Sequence, residues 1–249
     1  MNTAQPVGVA APLEVEISEK TFRSSQGVSI VALRDLSFEV RQGEFVCLLG
    51  PSGCGKTTTL RILLGLDRDF SGRISLPDGA TYRTAAVFQE PLLLPWRTVE
   101  ENIRLTLPSP LKQTALDELL QILGLSGLET LYPAELSLGL ARRVALARAF
   151  ATEPAILFLD EPFASLDEPT AERLRGLLTA VWSARPTTAL MVTHNLREAL
   201  LLADRIIVLS PRPAHVIGMF EVSVPRQERD PEALDRLVIA FTDRFRALT

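Results

Sequence analysis

The sequence predicts an α/β fold built around a parallel β-sheet, and two observations carry this prediction. Strand-length apolar runs alternate with helical stretches through the second half of the chain, which is the pattern of parallel βαβ units. A glycine-rich segment, residues 50–57, follows one apolar run and precedes a helical stretch, as phosphate-binding loops do.

The composition is that of one folded domain with room for a small insertion. The chain has 249 residues, 47% hydrophobic and 22% charged, so it can bury a full core. A formal net charge of -4, with scattered basic residues, argues against nucleic acid as a partner. The apolar runs are too short to span a membrane and the N-terminus has no secretory pattern, so we expect a cytoplasmic chain. Cys47 and Cys54 are interpreted as reduced thiols.

Strand patterns dominate the first part of the chain, after a lead-in of residues 1–12 that we expect to be flexible. Alternating or continuous apolar residues mark each strand, and one helix follows the glycine-rich segment. The predicted strands are Leu13–Ile17, Leu36–Val40, Phe45–Leu49 and Arg73–Leu76, and the predicted helix is Gly55–Leu64.

The pattern changes at Pro91, where a segment punctuated by prolines and then helical predicts an inserted helical subdomain of about residues 91–153. Strands and helices alternate after it. The predicted strands are Ala155–Leu159, Ala189–Thr193 and Arg205–Leu209, and the predicted helices are Ser137–Ala151, Pro169–Ala184 and Leu196–Ala203. Residues 216–249 are predicted to form a short C-terminal extension, with a strand at Val216–Val224 and a helix at Asp230–Leu248.

The glycine-rich segment predicts a triphosphate site. It fits the pattern G-x-x-x-x-G-K-[ST], and its residues, with the next threonine, are Gly50, Pro51, Ser52, Gly53, Cys54, Gly55, Lys56, Thr57 and Thr58. The backbone N–H groups would form an anion nest at a helix N-terminus, Lys56 would reach the β- and γ-phosphates, and Thr57 would bind Mg²⁺. The alternative is a glycine-rich turn with an exposed lysine, a motif match without a ligand.

A pair of acids follows the apolar run Ile156–Leu159 and predicts the catalytic carboxylates. At the carboxyl end of a buried strand, Asp160 is positioned to hold the same Mg²⁺, and Glu161 to act as general base toward the attacking water. The alternative is that the two acids and Pro162 form a polar exit from the strand.

With these motifs in place, the chain resembles the ATP-binding-cassette ATPase family across residues 13 to 212. The resemblance rests on further motifs in the family's order: Gln89 in the segment Ala86–Glu90, Ser165-Leu166-Asp167, His194 after Met191–Thr193, and Phe22 after Glu19–Thr21. It implies an ATPase domain of residues 13–215 with an N-terminal antiparallel β subdomain, a RecA-like parallel-sheet core and the inserted helical subdomain.

The resemblance also implies roles for these residues. Gln89 would contact Mg²⁺ and the attacking water, and His194 would contact the γ-phosphate. Phe22 would place its ring against adenine, although tyrosine is more usual there. The segment Ser165-Leu166-Asp167 would cross a dimer interface. Each residue alone would be an ordinary surface, strand-end or core residue.

The family's signature motif departs from its usual form in this chain. Leu136-Ser137-Leu138-Gly139-Leu140 stands where the family has Leu-Ser-Gly-Gly-Gln, and Arg142 stands where glutamine is common. Ser137 and Gly139 would grip the γ-phosphate bound to a second nucleotide-binding subunit, an identical copy or a homologue. Leu138 adds bulk where the family has a hydrogen, so we expect a weaker or slower ATP-bound dimer.

Two segments, residues 91–99 and residues 203–213, resemble the nitrate, sulfonate and taurine importers within this family. That resemblance implies a separate transmembrane permease, a solute-binding protein, and a location on the cytoplasmic face of the bacterial inner membrane. Leu92, Leu93, Leu94 and Trp96 would accept a short helix of the permease, or would pack the helical subdomain's own core.

Three rival functions share part of this pattern. An exporter or lipid-trafficking motor has the same catalytic motifs and differs in its membrane partner. A cassette protein of translation or repair generally carries two cassettes or long coiled coils, and this chain shows no long heptad run. A small-molecule kinase would leave Ser137 and His194 without a role.

Overall fold

The computed structural model describes residues 13–23, 27–76, 83–109 and 115–246, so the predicted flexible lead-in and the predicted end of the last helix at Leu248 lie outside it. Within the described residues the strands form two sheets. The smaller one is antiparallel, with β1 (Leu13–Arg23) between β2 (Ser29–Val40) and β4 (Ser71–Ser75). This is the predicted N-terminal antiparallel β subdomain, which is confirmed.

The central sheet has six strands in the described residues. Their spatial order is β5 (Thr84–Val87), β6 (Ile156–Asp160), β7 (Thr188–Thr193), β3 (Phe45–Leu49), β8 (Arg205–Leu209) and β9 (Val216–Glu221). Every residue of β3, β6, β7 and β8 is buried, as the continuous apolar runs predict for strands covered on both faces.

β9 departs from the parallel arrangement, because it pairs antiparallel with β8. The predicted C-terminal extension therefore starts inside the central sheet, at Val216. β5 is a short strand that the apolar pattern did not predict, since only Val87 of its four residues is fully buried. It pairs with β6 and places Gln89 two residues beyond its end.

The described residues form seven α-helices: α1 (Lys56–Leu63), α2 (Val99–Arg104), α3 (Asp117–Ile122), α4 (Leu138–Ala151), α5 (Glu168–Ala184), α6 (Leu196–Leu202) and α7 (Pro231–Phe245). Side chains cap several of them, because the first N–H groups of a helix need acceptors. Thr98 and Glu101 form a capping box on α2, and Asp167, Asn195 and Asp230 cap α5, α6 and α7.

The core consists of two apolar layers, one on each face of the central sheet. Phe45, Cys47 and Leu49 of β3 face a layer that also contains buried residues of α2 to α7. Val46 and Leu48 face the other layer, where α1 and the antiparallel sheet pack. The sheet is thus covered on both faces, and the loops that follow its strands lie outside these two layers.

None of the helices in the described ranges combines the length and apolar character needed to cross a membrane.

Candidate active site

Three predicted site segments follow neighbouring strands of the central sheet. β7 lies between β6 and β3, with Leu49 beside Thr193 and Asp160 beside Val192. Because the three strands are parallel, the residues after them meet at the carboxyl edge of the sheet. The phosphate loop, Glu161 and His194 are brought together for this reason.

The phosphate loop has the backbone shape that an anion nest requires. Gly53 and Gly55 have φ angles of 76° and 131°, which residues with a Cβ rarely adopt. A Cβ on Gly55 would lie 2.6 Å from Leu33 Cδ2, so this glycine also allows β2 to pack beneath the loop. Pro51 and Ser52 are exposed, Cys54 is buried, and Thr58 is half-buried on α1.

The lysine of this loop is buried with its ammonium inside the loop. Lys56 Nζ donates to the carbonyl oxygens of Gly50 and Pro51 at 2.8 and 3.0 Å. The same nitrogen lies 3.8 Å from Glu161 Oε1. A positive charge is therefore held at the concave side of the loop, facing the carboxylate that follows β6.

Arg212 is a loop contact that the sequence analysis did not identify as part of the site. Its Nη2 donates to Gly53 O at 2.6 Å, so the segment after β8 ties down the middle of the phosphate loop. The arginine stands between two prolines in the segment that resembles the importers. Neither its position nor its spacing indicates the contact with Gly53.

Thr57 and Asp160 form the pair predicted to hold a metal. Thr57 Oγ1 donates to Asp160 Oδ1 at 3.0 Å. Burial raises the pKa of Asp160, and the nearby charge of Glu161 raises it further. A carboxylate destabilised in this way, next to a hydroxyl oxygen, is a suitable partner for a hard cation such as Mg²⁺. The residues present therefore fit the metal that the phosphate-loop motif implies.

Glu161 stands at the centre of the site in a strained conformation. Its φ angle is 43°, and its N–H donates to Val192 O at 3.0 Å. Its Oε2 lies 3.0 Å from His194 Nδ1, while Oε1 faces Lys56. Non-glycine residues with such angles cluster at functional sites, because the surrounding structure must hold them there.

Gln89 shares one cavity with these two residues. The cavity has a volume of about 420 Å³, and Gln89, Glu161, His194 and Ser165 are among the residues that line it. The glutamine therefore lies on the side of Glu161 that is open to a water or a ligand. Gln89, Glu161 and His194 thus line one cavity, and their catalytic roles stay a prediction.

Ser137 and Gly139 lie on a separate part of the surface, at the start of α4. Ser137 is the N-cap, and its Oγ accepts from Leu140 N at 3.3 Å. A Cβ on Gly139 would lie 3.0 Å from Thr170 Cγ2, so glycine allows α4 to approach α5. Leu138 between them is 46% exposed. Their action on a nucleotide of a second subunit stays a prediction.

Phe22 lies near the end of β1, with 43% of its surface exposed. Lys20 Nζ is 4.8 Å from the centre of its ring, and the ring lines a surface depression with Ser29, Val31 and Phe70. The ring is accessible, as an adenine contact requires, and that role stays a prediction.

Fold and site together define an ATP-binding-cassette ATPase. A phosphate loop follows β3, two carboxylates stand at the end of β6, and a histidine follows β7, the strand between β3 and β6. A family model described as "ABC transporter" matches residues 33–164, more than half of the chain. The chain belongs to this family.

Two relatives illustrate the similarity in sequence. The chain is 42% identical over 219 residues to the aliphatic sulfonates import ATP-binding protein SsuB of Bacillus licheniformis, covering 86% of each chain. It is 44% identical over 223 residues to the aliphatic sulfonates import ATP-binding protein SsuB 2 of Burkholderia lata, covering 87% of this chain and 81% of that protein.

A solved structure illustrates the similarity in fold. The dimeric ATP-binding cassette MJ0796, in a post-hydrolysis state bound to ADP and Pi, superposes with a TM-score of 0.71 at 27% identity. The match covers 86% of this chain and all of that one.

Proposed function

We propose that this chain is the ATP-binding and hydrolysing subunit of an ABC importer for a small anionic solute, of the nitrate, sulfonate or taurine type. One observation carries the proposal: Lys56, Asp160, Glu161 and His194 converge at one edge of the sheet. The names of the relatives, which specify import of aliphatic sulfonates, favour import over export.

The phosphate loop would bind the triphosphate. Its N–H groups and the N-terminus of α1 supply partial positive charge, and Lys56 adds a full one. Arg212 holds Gly53 from outside, which preserves the concave shape of the loop. Phe22 would place its accessible ring against the adenine.

Mg²⁺ would be held by Thr57 and Asp160, with Gln89 nearby, and when bound it supplies neutralising charge for the phosphate oxygens. The remaining chemistry belongs to this chain's own side chains. Glu161 would take a proton from the attacking water, because its carboxylate faces the cavity that Gln89 lines. His194 orients that carboxylate through the 3.0 Å contact and is exposed enough to reach the γ-phosphate.

A second nucleotide-binding subunit would complete each site with its own Ser137 and Gly139. The helix N-terminus at Ser137 offers a hydroxyl and unpaired N–H groups to a phosphate. The partner is an identical copy or a homologue, and the dimeric state of the MJ0796 cassette supports this arrangement.

The permease would dock on the segment after Gln89, at the cytoplasmic face of the bacterial inner membrane. Trp96 is 69% exposed and Leu92 is 54% exposed, whereas Leu93 packs against the core. The buried amide of Asn102 bonds to the backbone at Leu94, so the loop is held rigidly while it presents Trp96. A solute-binding protein outside the membrane would select the solute.

Calorimetry and phosphate release test the catalytic part of the proposal. We expect the purified chain to bind MgATP and to release phosphate, and Lys56→Ala to lose both while keeping its melting temperature within a few degrees. Absence of MgATP binding by the wild-type chain would end the proposal. Uptake of an alkanesulfonate by vesicles that contain the chain with its permease and binding protein tests the import part, and its failure with active ATPase would reject the solute class alone.

A further inference from the structure

Arg142 is a buried arginine on α4 that contacts the turn after the catalytic carboxylates. Its side chain is 4% exposed. Nη1 donates to Pro162 O at 2.5 Å, and Nη2 donates to Ala164 O. One guanidinium therefore holds both ends of the three-residue segment that follows Glu161.

The charge of this arginine is balanced by carbonyl dipoles. The salt bridges found in the described residues do not include Arg142, and burial lowers the pKa of its guanidinium. A cation is costly to bury in this way, and its fork of donors fits two carbonyl oxygens better than a single ammonium does. Burial of this arginine therefore lowers the stability of the fold, while its two hydrogen bonds hold the backbone of residues 162–164 in place.

The held segment is one that needs support. Glu161 and Ser165, on either side of it, have φ angles of 43° and 62°. Such conformations persist in non-glycine residues only when their surroundings enforce them. Glu161 is the proposed general base, and Ser165 begins the segment expected to cross the dimer interface.

A second arginine, Arg175, lies beside the side chain of Phe163, the residue between Pro162 and Ala164. Phe163 is buried, and the guanidinium of Arg175 lies 5.9 Å from the centre of its ring. Arg175 also lies 3.9 Å from Glu198, which accepts a hydrogen bond from Thr193 beside His194. Arg142 therefore links the turn to α4. Arg175 links it, through Glu198, to Thr193 at the end of β7.

We propose that Arg142 is a positioning residue that fixes the turn after Glu161 to the helix whose tip carries Ser137 and Gly139, an inference that rests on the proposed ATPase function. Glu161, the base of one site, then moves together with the start of α4, which carries the Ser137 and Gly139 that would complete the second subunit's site. Arg142 contacts the carbonyl oxygens of Pro162 and Ala164, so its effect on turnover passes through the conformation of Glu161 and Ser165.

Steady-state ATPase measurements on Arg142→Met, which removes the guanidinium donors and keeps an unbranched side chain, test this role. We expect kcat to fall by about 10- to 100-fold, since displacing a catalytic group by about 1 Å has an effect of this size. The KM for MgATP should stay within about twofold, because the phosphate loop is untouched. Arg142→Lys should recover part of kcat, since lysine keeps the charge and can reach one carbonyl group. Arg173→Met, which removes an equal charge from the exposed face of α5, is the control and should match wild type.

Melting temperatures of the same variants separate positioning from folding. An unchanged kcat in Arg142→Met overturns the proposal, whether or not KM rises. If neither the methionine nor the lysine variant folds, Arg142 serves folding and the proposal also fails. If wild type itself hydrolyses no ATP, the proposed function fails rather than this inference.

Discussion

Replacing Leu138 by glycine restores the smaller side chain of the usual signature motif and should raise ATP turnover. Leu138 is the first residue of α4 and stands between Ser137 and Gly139. Its side chain is 46% exposed, so in the isolated chain it covers the surface that a second subunit's nucleotide would approach. If a phosphate binds there as proposed, a bulky apolar group at that position would hold it away from the N–H groups of the helix.

The substitution has two opposite effects, a loss of stability and a gain in turnover. Glycine is about 1 kcal/mol worse than the best helix formers, which for a chain of this size lowers the melting temperature by about 2–4 °C. The cap survives, because it joins Ser137 Oγ to Leu140 N without the Leu138 side chain. Closer approach of the helix tip should raise kcat by about 3- to 10-fold, which corresponds to a barrier lower by about 0.6–1.4 kcal/mol. Turnover should therefore increase while stability decreases.

Phosphate release at saturating MgATP, with a melting curve for each variant, is the assay. Leu138→Ala should give an intermediate rate with little loss of stability, and Ile239→Ala, at a residue 62% exposed on α7, is the control for removing an exposed apolar side chain. A rate for Leu138→Gly equal to or below wild type, in a folded protein, would refute the reasoning.

Three further predictions concern the carboxylates and the C-terminal segment. Glu161→Gln should bind ATP, lower kcat by about 100-fold or more and accumulate an ATP-bound dimer in light scattering; an unaltered rate removes Glu161 from the role of base. Asp160→Asn should raise the melting temperature of the nucleotide-free chain by a few degrees at neutral pH, because the pKa of Asp160 is raised in the fold and its ionised form is costly there. That gain should vanish as the pH falls and wild-type Asp160 is protonated, and a gain constant with pH contradicts it. Arg229→Gln should lower the free energy of unfolding by about 3 kcal/mol, since Arg229 donates to Val224 O and to three backbone carbonyl groups around the end of α6; a melting temperature equal to wild type contradicts it.

Most strands and helices followed from local pattern, and the exceptions have physical reasons. β1 continues to Arg23, although the simple alternation ends at Ile17, because bulges after Ile17 and Lys20 shift the register and hide the period. β5 was not predicted, because a short, half-buried strand at the edge of a sheet shows no continuous apolar run. β9 was predicted as a strand, but its place in the central sheet depends on pairing with β8.

The candidate site residues could be named from the sequence, and their catalytic and binding roles stay predictions. Residues 50–57 and the pair Asp160 and Glu161 are contiguous motifs next to buried strands, so their chemistry is visible in the chain itself. Resemblance to a family added Gln89 and His194, which no local pattern singles out. The structure places His194 Nδ1 3.0 Å from Glu161 Oε2, and Gln89 lines the same cavity as Glu161.

The sequence by itself determined the phosphate loop, the carboxylate pair and the alternation of strands and helices, because each of these is a property of residues that are adjacent along the chain. Only the tertiary structure decided that Arg142 holds the turn after Glu161 and that Arg212 holds Gly53. These contacts join residues from separate elements, and an arginine shows the same chemistry in the sequence whether it faces solvent or a buried carbonyl group. Which of the two occurs depends on strand order and helix packing, and those arise from burial of the whole core.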